Sequence, residues 1–132
     1  MKKVFALILC LALVMSMAGC VRIVIDGEES SVQVSANGTI GLSVSTQNNP
    51  FFVSLVEGAE KQAAALGVKI TVADAGDDAA KQTSDIEDLV ASGISVLIVN
   101  PVDSDAVTGA VEAAKAKGVK VIAVDRAVNG VD

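Results

Sequence analysis

The chain contains no histidine, tryptophan or tyrosine, and its 132 residues include only three phenylalanines, two prolines and two cysteines. These absences remove classes of chemistry. With no His, a zinc site of the usual His/Cys kind is excluded, and so is any Ser–His or Cys–His nucleophile pair. No G-x-S-x-G occurs, which removes the nucleophile elbow of a serine hydrolase. No G-x-G-x-x-G follows the first strand-like run, at 39–46, which makes a dinucleotide site a poor fit. The stretch "GDDAAKQT" (76–83) starts like a phosphate loop but lacks the closing Gly-Lys-Ser/Thr. Positive charge is scarce as well: ten Lys and Arg stand against 16 Asp and Glu, a net charge of −6. Nucleic-acid binding needs the opposite balance.

The start is organised differently from the rest. "MKKVFALILCLALVMSMAGC" has Lys2 and Lys3, an apolar run from Val4 to Val14, and small residues before Cys20. That is the order of a secretory signal, and the run is too short for a spanning helix, which needs about 20 apolar residues. Met17-Ala18-Gly19-Cys20 resembles a bacterial lipobox, which implies cleavage before Cys20 and a lipid on its thiol. A plain signal peptide with an unmodified Cys is the alternative. The expected division is a lipoprotein signal peptide over 1–19, a tether over 20–37 and a domain over 38–132. Cys10 would leave with the leader, so Cys20 would have no intrachain disulfide partner. The acidic centre "DGEESS" of the tether could instead turn a hairpin between "VRIVI" and "VQV".

From Thr39 onward the pattern repeats. "TIGLSVST" (39–46) reads as a strand. Asn49 is placed to cap a helix that takes Pro50 at its first position, where the missing N–H does no harm. Phe52, Val56, Ala59, Ala63 and Leu66 keep helical spacing and form one apolar stripe up to Gly67. "VKITVAD" (68–74) is a second strand. Asp77 or Asp78 caps a helix with Ile86, Leu89 and Val90 on one face, ending at Gly93. "ISVLIVN" (94–100) is a third strand. Asp103 or Ser104 caps a helix carrying Ala106, Val107, Ala110, Val111 and Ala114, ending at Gly118, and "VKVIAVD" (119–125) is a fourth strand. Gly67, Gly93 and Gly118 recur at 26 and 25 residues, each followed at once by a β-branched run. A Gly just past a helix is its expected stop. "SVLIV" and "VIAV" are continuously apolar, as strands covered on both faces are. The fold class is therefore α/β: an open, doubly wound parallel sheet in the order βαβαβαβ.

In such sheets ligands bind beyond the carboxyl ends of the strands. Those ends carry Ser45, Thr46, Asn48, Asn49, Phe51 and Phe52 after strand one, Asp74 and "AGDD" after strand two, Asn100-Pro101-Val102-Asp103 after strand three, and Asp125-Arg126 after strand four. Amides, carboxylates and a guanidinium offer directed hydrogen bonds, and two aromatic faces stand among them. An apolar wall with a few placed polar groups suits a small polyhydroxylated molecule. Each position also has a plainer reading. Phe51 and Phe52 fit a core, Asn49 a cap, and Asp125-Arg126 a turn with a surface ion pair. Asp77-Asp78 and Asp103-x-Asp105 fit first-turn acids facing a helix dipole better than a metal site.

The stretches "IGLSVSTQNNPFFVSLVEGAEKQAAALG", "LIVNPVDSDAV" and "VIAVDR" together resemble the first lobe of the type I periplasmic sugar-binding proteins, over about residues 38–132. The resemblance implies capture of a monosaccharide, ribose in the most similar members, outside the cytoplasmic membrane for delivery to an ABC importer, with the sugar held between two lobes. It implies no enzymatic activity and no cofactor. By position, Asn49 would bond sugar hydroxyls, Phe51 and Phe52 would form the apolar wall, Asp125 and Arg126 would bind ring hydroxyls and oxygens, and Ser45 and Asn100 would be nearby contacts. The expected partners are a monosaccharide, an ABC permease and, through Cys20, the outer face of the membrane, or else the periplasm without an anchor. The family has a second lobe and a returning segment, so residues 38–132 read as an incomplete first lobe. A second reading is a truncated or split product, an interaction module that pairs with a second lobe or with itself. An enzyme of flavodoxin-like shape lacks any nucleophile–base arrangement.

Overall fold

The computed structural model describes residues 38–131; the expected leader, Cys20 and the tether lie outside the described residues. Strands β1 (Thr39–Val44), β2 (Lys69–Asp74), β3 (Val96–Val99) and β4 (Lys120–Ala123) alternate with helices α1 (Pro50–Leu66), α2 (Ala79–Ala91) and α3 (Thr108–Ala116). All pairings are parallel, and the strand order is β2-β1-β3-β4. The α/β alternation and the parallel sheet expected from the glycine period are both present.

The helix boundaries arise from local chemistry. Asn49 Oδ1 accepts from the Phe51 N–H at 2.9 Å and Pro50 opens α1. Asp78 Oδ1 accepts from the N–H groups of Ala80 and Lys81 at 2.9 and 3.0 Å, which selects Asp78 over Asp77 as the cap of α2. Asp103 Oδ1 accepts from Asp105 and Ala106 at 2.9 and 2.8 Å. That bond closes a leading turn, so regular helix α3 starts only at Thr108. Gly67 ends α1 at φ +66°, in the left-handed region where a side chain costs about 1 kcal/mol or more. Strands β1, β3 and β4 end one or two residues earlier than expected, at Val44, Val99 and Ala123, while β2 ends at Asp74 as expected.

Side chains along β1 alternate between two cores. Leu42 and Val44 point to α1 and pack with Val56, Leu55, Ala59, Ile70, Val72 and Ile98. Gly41 and Ser43 face the other way, towards α2. A Cβ at position 41 would stand 2.8 Å from Ile94 Cδ1 and 3.3 Å from Leu89 Cδ1, so the glycine lets these side chains lie directly on the sheet. The larger core joins α2 and α3 to β3 through Ile86, Leu89, Leu97, Val99, Val107 and Val111. Full burial of such a side chain stabilises by about 1.5–3 kcal/mol.

Two apolar expectations fail. Leu66, the last member of the α1 stripe, is 46 % exposed, and so is Ile122 on β4. Ile122 lies in register with Ile98, on the face that α1 covers only as far as β1 and β3. One helix on that face cannot reach the edge strand, so β4 is covered on its α2/α3 side alone.

Candidate functional site

The connection from β1 leads to β2 on one side, and the connection from β3 leads to β4 on the other. The carboxyl ends of β1 and β3 therefore flank the point where the winding reverses, the usual place for a ligand crevice in this architecture. Each strand exit is held by specific bonds. Ser45 O accepts from the Asp77 N–H at 2.8 Å, and Asp74 accepts from Gly76 N (2.9 Å) and Gln47 N (3.3 Å), tying the exits of β1 and β2. The Asn48 N–H donates to Thr46 Oγ1 at 3.1 Å and shapes the approach to α1.

Asn100 joins the exits of β1 and β4. Its Oδ1 accepts from the Ser45 N–H at 3.1 Å, while its Nδ2 donates to Val124 O at 3.4 Å and to Asp125 Oδ2 at 3.1 Å. The opposite orientation of the amide would set an NH2 against the Ser45 N–H, so the donor pattern admits one orientation. A single side chain spans from Ser45 to Asp125, which ties the exit of β1 to the exit of β4.

Asp125 sits in the middle of a tight turn. The Arg126 N–H donates back to Val124 O at 2.8 Å across Asp125, whose φ is +67°. Three-residue turns of this positive-φ kind are rare and strained, and an Asp tolerates the region better than bulkier residues do. Strain held in place by surrounding bonds is a common property of binding sites. The Arg126 Nη1 donates to Val102 O at 3.0 Å, which orients the guanidinium; its other donors meet no acceptor among the described residues. The surface ion pair suggested for Asp125-Arg126 does not form; among the described residues the salt bridge is Lys81–Asp85, at 2.7 Å on α2.

The sequence-derived site residues fall into two layers. Asn49, Phe51, Asp125 and Arg126 are exposed at the rim. Phe51 is 59 % exposed and meets the half-buried Phe52 edge-on, with ring centroids 5.2 Å apart and planes at 77°. The core reading therefore suits Phe52 in part and does not suit Phe51. Ser45 and Asn100 are buried beneath the rim, and the Asn100 amide is engaged within the protein.

The sequence pattern did not single out Gln82. It is fully buried, donates from Nε2 to Asn100 O (2.8 Å) and Ser43 Oγ (3.1 Å), and accepts at Oε1 from the Val102 N–H (2.7 Å). A signal was present: Gln82 lies four residues before Ile86, on the stripe of α2 that faces the core.

An open α/β lobe whose winding reverses between β1 and β3, with an aromatic pair, an amide, a carboxylate and a guanidinium past its strand ends, has the architecture in which ligands bind beyond the carboxyl ends of the strands. The chain belongs to the periplasmic binding protein domain family, whose model matches residues 40–132. It is 47% identical over 126 residues to the ribose import binding protein of Bacillus subtilis, covering 96% of this chain and 41% of that protein. Against the ribose import binding protein of Escherichia coli K12 it is 47% identical over 100 residues, 73% of this chain and 34% of that one. A solved ABC transporter solute binding protein from Mycobacterium smegmatis, with bound glycerol, superposes with a TM-score of 0.69 at 45% identity, over 71% of this chain and 33% of that chain. The Caulobacter myo-inositol binding protein, bound to myo-inositol, gives 0.67 at 39% identity over 71% and 32%. The chain thus spans about a third to two fifths of the length of these relatives.

Proposed function

We propose that residues 38–132 form the first sugar-binding lobe of an extracytoplasmic substrate-binding protein that serves an ABC importer, with a monosaccharide, and specifically ribose, as its ligand. The observation that carries this reading is the rim itself: Asn49, Phe51, Asp125 and Arg126 are exposed just past the carboxyl ends of β1 and β4, while hydrogen bonds from the residues beneath hold Asp125 and Arg126 in place. Phe51, backed by Phe52, would lie against the C–H face of the sugar ring. The Asn49 amide, the Asp125 carboxylate and the Arg126 guanidinium would bond its hydroxyls and ring oxygen. Ribose is favoured over other sugars by the 47% identity to two ribose import binding proteins.

The remaining assignments belong to the same proposal. The order of Lys2-Lys3, the apolar run from Val4 to Val14 and Met17-Ala18-Gly19-Cys20 supports a leader over 1–19, a lipid on Cys20 and a tether over 20–37. An ABC permease is the protein partner, and the role is binding rather than turnover. Residues 38–132 would supply one wall of the cleft, so binding by these residues alone should be weak. The test is a ribose titration of the 15N-labelled full chain followed by NMR. The expected result is movement of the Asn49, Phe51, Asp125 and Arg126 resonances at millimolar sugar. Absence of movement, or movement confined to the β2 edge, would overturn the assignment; micromolar affinity would overturn the single-wall argument.

A second reading, an interaction module that pairs with a separate lobe or with itself, is favoured by one observation. Strand β4 is an edge of the sheet and carries the exposed Ile122, and bare apolar edges invite pairing. A strictly monomeric sedimentation profile at high concentration would remove self-association.

A further inference from the structure

We propose that Gln82 and Asn100 act as a buried positioning pair that sets the orientation of both charged rim residues, Asp125 and Arg126, before any ligand arrives. The inference rests on the sugar-site reading for its purpose but not for its geometry. Both side chains are fully buried amides, and burial of an amide is costly unless its hydrogen bonds are made. Here the donors are all committed. The two Nε2 protons of Gln82 go to Ser43 Oγ and Asn100 O, and its Oε1 takes the Val102 N–H. The two Nδ2 protons of Asn100 go to Val124 O and Asp125 Oδ2, and its Oδ1 takes the Ser45 N–H. Neither amide has a proton left for a ligand, so Asn100 serves the rim from below instead of touching sugar.

The connectivity has two branches from one origin. Gln82 grips the backbone at Asn100 and at Val102. From Asn100 the branch runs through Nδ2 to the Asp125 carboxylate at 3.1 Å. From Val102 it runs through the carbonyl oxygen to Arg126 Nη1 at 3.0 Å. The 100–102 segment is thus a rigid bar, and the spacing between carboxylate and guanidinium is set by Gln82 from helix α2. Only Oδ2 of Asp125 is held. Oδ1 accepts from none of the described residues, which leaves its acceptor capacity for a ligand. A held carboxylate loses less rotamer freedom on binding than a free one, and preorganisation of this kind raises affinity without adding a contact.

The test uses NMR of the full chain and reads the free protein first. In the wild type, three-bond couplings about Asp125 χ1 should report a single rotamer. Asn100→Asp keeps an acceptor for the Ser45 N–H but replaces the donor to Asp125, so the couplings should collapse to an averaged value and the ribose-induced shifts of Asp125 and Arg126 should be lost. A merely structural role for Asn100 would lower the melting temperature and leave the Asp125 couplings unchanged. Should Asn100→Asp fail to fold, Asp125→Gly, which suits a φ of +67°, supplies the second measurement: the Asn100 side-chain amide resonances must move. Averaged couplings in the wild type, unchanged couplings in a folded Asn100→Asp, or unmoved Asn100 resonances in Asp125→Gly would each overturn the proposal. Changed couplings in a protein that never responds to ribose would uphold the positioning pair and overturn the sugar reading alone.

Discussion

Replacing Gln82 by Leu should destabilise the domain far more than its surface-like residue type suggests. Leucine keeps most of the volume and removes three hydrogen bonds. The carbonyl of Asn100 and the N–H of Val102 lose the partner that the fully buried Gln82 side chain supplies. An orphaned buried group costs about 1–3 kcal/mol, so two backbone groups give about 2–6 kcal/mol, before the Ser43 hydroxyl is considered. A domain of this size has about 5–15 kcal/mol in total. At about 4–8 °C per kcal/mol, the melting temperature should fall by at least about 8 °C. Gln82→Glu should do no better, since it sets a carboxylate oxygen against Asn100 O. The assay is thermal and urea unfolding followed by circular dichroism, with Gln62→Leu on the exposed side of α1 as control, expected within about 0.5 kcal/mol of wild type. If Gln82→Leu also stayed within that range, the account of the bracing network would be wrong, because its bonds would then carry no net stability.

Three further outcomes are expected. Phe51→Ala should leave thermal stability nearly unchanged, because the ring is mostly exposed, yet abolish the ribose response seen by NMR. Loss of stability with the response retained would return Phe51 to the core. Asp78→Ala removes the acceptor of two helix N–H groups and should cost about 1 kcal/mol, measurable as a shifted urea midpoint with the slope unchanged. Cys20→Ser should move the protein from the membrane fraction to the soluble extracytoplasmic fraction of an expressing cell, and an unchanged distribution would argue against lipidation there.

Much of the architecture was legible along the chain because its signals are short-range. Asn49, Asp78 and Asp103 each cap the adjoining turn by bonds spanning two or three residues, and Gly67, Gly93 and Gly118 take positive φ one residue or two past their helices. The exposed rim residues Asn49, Phe51, Asp125 and Arg126 were legible too, since they lie just after strands whose ends are visible in the pattern. The expectations that failed share one cause. Leu66 and Ile122 match their local pattern but lack anything above them, and coverage depends on how many helices a face receives. Asn100 was legible as a strand-end residue, whereas the bonds that its amide makes across the sheet were not.

The α/β class, the parallel winding and the residues that stand at the carboxyl rim are thus written in the linear chain, because periodicity, caps and glycine stops are properties of a few adjacent residues. Which of those rim residues are free to meet a ligand depends on the folded sheet. Strand order β2-β1-β3-β4 brings Ser43 to Gln82, Ser45 to Asn100 and Asn100 to Asp125, partners 39, 55 and 25 residues apart. Hydrogen bonds over such separations exist only once the sheet has formed, and it is these bonds that turn Asn100 inward and hold Asp125 ready at the rim.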